Sequence, residues 1–361
     1  MDEIWILGAT GRSGAPVARA LAAGGLPVVL VGRDAARLEA VAGPLGGRGR
    51  SVLAGSVEAA AEALAASGAR VAFNTVGPFV HTAAMLARAL PAGCHYLDLS
   101  NELPATLDIL AMDAAAREDG RCLVTGAGWG VLSTESVVLS LCAGRPAARS
   151  VRVDNRPAMA GAGGGVVGEA LAGSIMEGFP FGGRQYSGGR LVRMRLGSGH
   201  RELTLPDGEK AGFVALPSGE LEAARRASGA AEAVAATSEL PTGALVRALL
   251  PAVAMAMSVG PLRRAATRRL AAASIPAPAQ PAAASFAHAE VVWPDGTRRE
   301  GWLQAGDAVD FTLAVATEVA ARLFAGQGRR GAFTPGALFG PELAVLAGGR
   351  FILRQDAAPP A

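Results

Sequence analysis

The stretch Glu3-Ile4-Trp5-Ile6-Leu7-Gly8-Ala9-Thr10-Gly11-Arg12-Ser13-Gly14 decides the fold. Its first five residues are a short, almost wholly apolar run, the pattern of a parallel strand buried on both faces. Three glycines at even spacing follow, and helical periodicity sets in from 15 to 23. Glycine at 8 permits a tight turn out of the strand, and at 11 it lets backbone approach a diphosphate. At 14 it lets helix and strand pack closely. The start of the helix adds free amides and the positive end of a dipole. The loop therefore predicts a dinucleotide site built from Gly8, Thr10, Gly11, Arg12, Ser13 and Gly14.

A second apolar run at 27–31 ends in Gly32-Arg33-Asp34. An NAD site places a carboxylate at this strand tip to accept the ribose 2′-hydroxyl. Arg33 instead offers a planar cation suited to a 2′-phosphate, which favours NADP(H). Asp34 is carried as a further cofactor contact, and in the competing reading it takes the ribose of NAD. Strand patterns recur at 50–54, 71–76, 96–99 and 121–125, with helical patterns at 58–66, 81–90 and 104–118. This alternation predicts a Rossmann-type, doubly wound parallel sheet of the α/β class. Ligands lie over the carboxyl ends of such strands, where 74–79, 98–102 and 126–130 fall.

Composition narrows the chemistry. Half of the 361 residues are hydrophobic and 18% are charged, with 34 basic against 31 acidic, so a sizeable core is available. No dense basic run suggests a nucleic-acid partner. The three cysteines are widely spaced and the four histidines never pair at ligand spacing, so neither a disulfide framework nor a metal site is expected. Tyr96 and Tyr186 are followed four residues later by Ser100 and Arg190, so the Tyr-x-x-x-Lys dyad of short-chain dehydrogenases is absent. The apolar stretch 244–262 is interrupted by Arg247, Pro251 and Gly260 and falls short of the roughly 20 residues of a membrane span. With no leader pattern at the start, a cytoplasmic protein with no membrane partner is expected.

Asn74-Thr75-Val76-Gly77-Pro78-Phe79, followed by Gly93-Cys94-His95-Tyr96-Leu97-Asp98-Leu99-Ser100-Asn101-Glu102, resembles the saccharopine dehydrogenase-like oxidoreductases, especially their trans-acting enoyl reductase-like branch. The opening Gly8-Ala9-Thr10-Gly11 is similar to the same group, and Gly331-Ala332-Phe333-Thr334-Pro335 returns to it near the C-terminus. The resemblance covers 1–140 and resumes at 306–339. It implies an NAD(P)-dependent oxidoreductase with a discontinuous nucleotide domain and a homodimeric assembly. It also implies that Asn74, Val76, Gly77, Pro78 and Phe79 lie beside the nicotinamide. On this basis 1–130 is the Rossmann domain, 131–305 an inserted α+β substrate and oligomerisation domain, and 306–361 a set of C-terminal helices returning to the first, with Thr312 opening the returning helix.

Within 150–305, strand patterns occur at 151–155, 191–196, 200–205, 212–216, 287–293 and 301–304, helical ones at 167–177, 220–227 and 244–270, and an extended connector at 275–284. The segment Gly126-Ala127-Gly128-Trp129-Gly130-Val131-Leu132-Ser133 lacks the aspartate and proline of the enoyl reductase-like sequences, and 163–167 also departs from them. Both changes point to a different substrate. Hydride transfer needs a proton source, for which Tyr96, Glu102 and His81 are the candidates; His81 because imidazole is the commonest acid and base in catalysis, while Glu102 is also placed to cap the next helix. Tyr186 and His200 are weaker ones. The proline- and alanine-rich connector and the Met255–Met257 stretch together suggest a fairly apolar pocket. The favoured function is NADPH-dependent reduction of a C=N or C=C bond in a small metabolite, in a bacterial biosynthetic pathway. The alternatives are a non-redox step, such as cyclisation or isomerisation, on the same nucleotide-binding fold, and a non-catalytic partner of a biosynthetic assembly.

Overall fold

Ile4, Trp5, Ile6 and Leu7 are all buried in strand β1 (Glu3–Leu7), and the turn after it leads into helix α1 (Gly14–Ala23). The computed structural model describes residues 2–158, 165–240, 243–275 and 284–354. It divides into two units, the first formed by Met1–Ser100, Pro104–Gly128 and Thr312–Leu338, the second by Asn101–Leu103, Trp129–Phe311 and Phe339–Ala361.

In the first unit β2 (Val28–Gly32), β3 (Gly49–Leu53), β4 (Ala69–Asn74), β5 (His95–Asp98) and β6 (Cys122–Val124) join β1 in one sheet. Their order is β3-β2-β1-β4-β5-β6, with Gly331–Phe333 outside β6, and every pairing is parallel. Leu7 therefore stands between Val31 and Asn74, at the point where the strand order reverses. The helices α2 (Ala35–Ala42), α3 (Val57–Ala65) and α4 (Phe79–Arg88) return the chain between strands. Trp5, Leu7, Val31, Leu64, Leu86 and Tyr96 share one buried core.

The expected helix over 104–118 is two helices, Leu103–Leu110 and Asp113–Glu118. After the break, Asp113 Oδ1 accepts the Ala332 amide at 2.8 Å and so ties the helix start to the edge strand. The helix expected to open at Thr312 opens at Ala308, because Asp307 Oδ1 accepts the amides of Val309 and Asp310 at 2.7 and 3.1 Å. The division between units falls inside this helix. From Phe339 onward the chain is counted with the second unit, where the expectation had put 306–361 with the first.

The second unit is built on a mixed nine-stranded sheet whose centre is Ser150–Arg156, flanked by Glu232–Thr237 in parallel and Ser285–Val292 in antiparallel. Arg298–Ala305 and Arg350–Arg354 extend one side, Arg184–Ser187 and Arg190–Arg193 the other, and Arg201–Thr204 joins through Lys210–Ala215. Helices Trp129–Cys142 and Gly219–Ser228 pack on this sheet and on each other. The single helix expected over 244–270 is broken into Ala244–Met257 and Gly260–Ala272, bent by 115°. Pro261, at the start of the second, has no amide to continue the first. The connector expected at 275–284 and the departure at 163–167 fall largely outside the described residues.

The close packing of α1 rests on Gly14, where a Cβ would lie 2.5 Å from the Gly8 carbonyl oxygen and 2.9 Å from Ala9 Cα. At Gly11 the nearest atom would be 3.1 Å away, with nothing else near. Gly14→Ala should therefore lower unfolding free energy by about 2 kcal/mol, and Gly11→Ala by less than half of that. Urea denaturation of both variants checks this, and equal losses would contradict it.

Candidate functional site

The glycine loop connects three strand ends by backbone bonds. Gly8, at φ 83°, and Ala9 both donate to the Val31 carbonyl, at 3.0 and 3.1 Å, which joins β1 to β2. Thr75 donates through its amide (2.9 Å) and its hydroxyl (2.7 Å) to the Leu7 carbonyl, which joins β4 to β1. A side chain at Gly8 would lie 2.7 Å from that hydroxyl, so the join depends on the glycine. Ser13 ends the loop in helical geometry without a side-chain cap, while the Ala15 amide donates to the Gly11 carbonyl at 3.2 Å and the Val17 amide to the Ser13 carbonyl at 3.3 Å. Arg12 is exposed at the same end, and Thr10 packs toward the Gly32 position at the tip of β2.

Arg33 follows Gly32, exposed and without a hydrogen bond or ion pair among the described residues. Asp34, carried from the sequence as a cofactor contact, is instead the N-cap of α2. Its Oδ1 accepts the Arg37 amide at 3.0 Å, and its backbone is extended. A carboxylate in this role satisfies a first-turn donor and complements the helix dipole.

The turn after β4 is held from beneath. Asn74, fully buried, accepts the Val76 amide at 2.9 Å and donates to Thr82 Oγ1 and the Tyr96 hydroxyl at 3.2 and 3.1 Å. Thr82 in turn donates to the Val76 carbonyl at 2.6 Å. Asn74 is therefore a support of the turn through Val76, Gly77, Pro78 and Phe79, whose side chains at 76 and 79 are half-buried against the core. Tyr96 has the same supporting role. It is fully buried in the core, and burial pushes its hydroxyl well above the usual range. A proton donor must reach a bound molecule, so the expectation of a catalytic Tyr96 is corrected. His81 is exposed in the first turn of α4. Glu102 is half-buried immediately before helix Leu103–Leu110 and bridges to Ser218.

Two of the buried carboxyls organise their surroundings, Asp98 of the quoted motif and Glu220, which the sequence did not single out. Asp98, at the end of β5, accepts the amides of Ser100 and Gly126 and the hydroxyl of Thr125 on one oxygen, each at 2.9 Å. Burial lifts it to about 6 against these stabilising bonds. Within the second unit, Glu220 Oε1 accepts the side-chain amides of Asn155 at 3.0 Å and Asn101 at 3.2 Å. Trp129 Nε1 donates to Asn155 Oδ1 at 2.7 Å. A Cβ at Gly130 would lie 2.5 Å from the Asn101 amide nitrogen, so a side chain there would displace Asn101 from Glu220. Burial lifts Glu220 to about 8, the two amides opposing and the carboxyl of Glu239 adding to it. The spacing of Glu220 in sequence carries no signal, since its partners come from three distant segments.

Tyr186 is also committed, donating to Glu222 at 2.6 Å. Cys94 and Cys122 are buried thiols pushed up to about 12. Among the described residues no three His, Cys, Asp or Glu side chains gather as a metal set, and no single helix is long and apolar enough to cross a membrane.

A family model described as the saccharopine dehydrogenase NADP binding domain matches residues 4–124. The apo, histidine-tagged saccharopine dehydrogenase (L-Glu forming) of Saccharomyces cerevisiae superimposes with a TM-score of 0.60 at 13% identity, over 98% of this chain and 99% of that one. The two proteins share a fold. A short-chain dehydrogenase of Streptomyces avermitilis (16% identity, TM-score 0.31) matches over 34% of this chain and 63% of its own. One of Sphingobium yanoikuyae, in complex with NADPH (16%, TM-score 0.30), matches over 35% and 71%. A search of curated protein sequences found no match.

Glu220 gives a pH test. Its pKa in the folded chain is raised above the ordinary 4.5, so its favourable contribution is present below that value and is lost as pH rises toward 8. Glu220→Gln should flatten the fall in thermal midpoint between about pH 5 and pH 9, a difference on the order of a few kcal/mol in wild type. Parallel curves for the two proteins would contradict the assignment.

Proposed function

With residues 4–124 an NADP-binding domain of the saccharopine dehydrogenase family, we propose that this protein is an NADPH-dependent reductase of a C=N or C=C bond in a small metabolite. We place it in a bacterial biosynthetic pathway, as a cytoplasmic homodimer. The observation that carries the reading is the tip of β2, where Arg33 is exposed and Asp34 is occupied in capping α2. The same site offers an open Gly11 and an uncapped α1 for a diphosphate.

When bound, the nucleotide supplies a hydride for an electrophilic carbon. Gly8, Thr10, Gly11, Arg12, Ser13 and Gly14 hold its diphosphate through backbone and the helix terminus. Arg33 takes the 2′-phosphate in a charge-assisted, planar contact. The turn Val76, Gly77, Pro78 and Phe79, fixed from below by Asn74 and Tyr96, orients the nicotinamide by rigidity. His81 and Glu102 remain the sequence candidates for the proton, His81 because its imidazole is exposed beside that turn.

Fluorescence titration with NADPH and NADH tests this reading. Arg33→Ala should weaken NADPH on the order of 10- to 100-fold and leave NADH unchanged. Asp34→Ala should leave both affinities unchanged while lowering stability by about 1 kcal/mol. A weakening of NADH by Asp34→Ala, with no effect of Arg33→Ala, would assign the site to NAD.

A further inference from the structure

Helix Ala244–Met257 turns the wrong face to solvent. At about 100° per residue, Leu245, Leu249, Ala252 and Val253 lie on one arc, flanked by Val246 and Met255. This is the exposed arc: Leu245 is 75%, Leu249 53% and Met255 73% accessible, and only Leu250 is buried in the whole helix. The expectation of an apolar pocket around Met255 is thereby corrected, because this side chain points outward. Among the described residues nothing covers the arc. A contiguous apolar face of this kind marks an interaction surface.

The chemistry of the next helix indicates what covers it. Between 243 and 275 the chain has five arginines and no carboxylate. On Gly260–Ala272 the exposed arc carries Arg264, Arg268 and Arg269 together with Leu262, and these three arginines form no ion pair among the described residues. At the other end of the apolar helix a cavity of about 400 Å³ is lined by Arg195, Ser198, Ala244, Arg247 and Ala248. Of the five arginines Arg263 pairs with Glu177 at 3.2 Å; an apolar face bordered by Arg264, Arg268 and Arg269 complements an anionic lipid surface, with acyl chains against the leucines and phosphates against the guanidiniums. A second copy of this chain fits less well. A two-fold contact would set arginines against arginines with no carboxylate on either helix. The helix is 14 residues, about 21 Å, against a hydrocarbon core of about 30 Å, so alone it is too short to span, and the 115° bend to the next helix suits a surface-lying arrangement.

We propose that the exposed face of 244–257, with the arginines of 260–272, docks this protein reversibly on an anionic membrane surface. This departs from the expectation of no membrane partner and is independent of the nucleotide reading. The test is co-sedimentation of the full chain with vesicles of phosphatidylcholine alone and of phosphatidylcholine mixed with phosphatidylglycerol. Binding is expected to the mixed vesicles only, and to be lost as ionic strength rises from about 0.1 to about 1 M, where screening shortens from about 10 to about 3 Å. The triple variant Arg264→Ala, Arg268→Ala, Arg269→Ala should bind on the order of 100-fold more weakly. Leu249→Glu, at an exposed position, should abolish binding while thermal midpoint and NADPH affinity stay unchanged. Failure to sediment with mixed vesicles would overturn the proposal. So would a salt-insensitive association with neutral ones, a dimer in solution that Leu249→Glu dissociates, or salt-sensitive binding confined to duplex DNA.

Discussion

The Gly8 carbonyl occupies the space that a side chain at position 14 would need, and the arrangement around the nucleotide loop follows from that contact. With no side chain at 14, α1 begins directly after the loop that leaves β1, and no side chain caps its start. With none at 8, Thr75 reaches the Leu7 carbonyl and the exit of β4 is held against β1. The Val31 carbonyl, taking both Gly8 and Ala9, brings the tip of β2 to the same place. Three strand ends therefore meet where the order of the sheet reverses, and Arg33 and the turn after Asn74 are positioned by backbone bonds.

Buried carboxyls carry a second constraint. Asp98 and Glu220 each accept hydrogen bonds at buried positions. Each pays the cost of burying a charge by a higher proton affinity. The difference between them follows from their donors. Asp98 gathers two backbone amides and a hydroxyl and rises only to about 6. Glu220 has two side-chain amides, with the carboxyl of Glu239 nearby, and rises to about 8.

The nucleotide unit was legible because its signals are local. An apolar run is a buried parallel strand wherever glycine geometry follows it, and β1 through β6 lie within a few residues of their expected places. What depends on distant partners was not. Glu232–Thr237 contains three alanines and reads as helix by propensity, yet it is a strand through pairing with Ser150–Arg156. Alternation along β5 puts Tyr96 and Asp98 on one face. It could not distinguish a ligand-facing side from a buried one, because helices cover both sides of a parallel sheet. Arg33 and Asp34 were both readable as nucleotide contacts, and only the Arg37 amide resolves which is taken by the helix. Met255 shows the converse, an apolar residue whose hydrophobicity implied a pocket and whose place is the outer surface.

The central claim is that the tip of β2 reads a phosphate on the ribose. Its most direct test uses only the half of the nucleotide that the tip would touch: calorimetric titration with adenosine 2′,5′-bisphosphate and with adenosine 5′-monophosphate. The account predicts that the bisphosphate binds at least about tenfold more tightly, the value of one charge-assisted phosphate contact. Equal affinities, or a preference for the monophosphate, would contradict it.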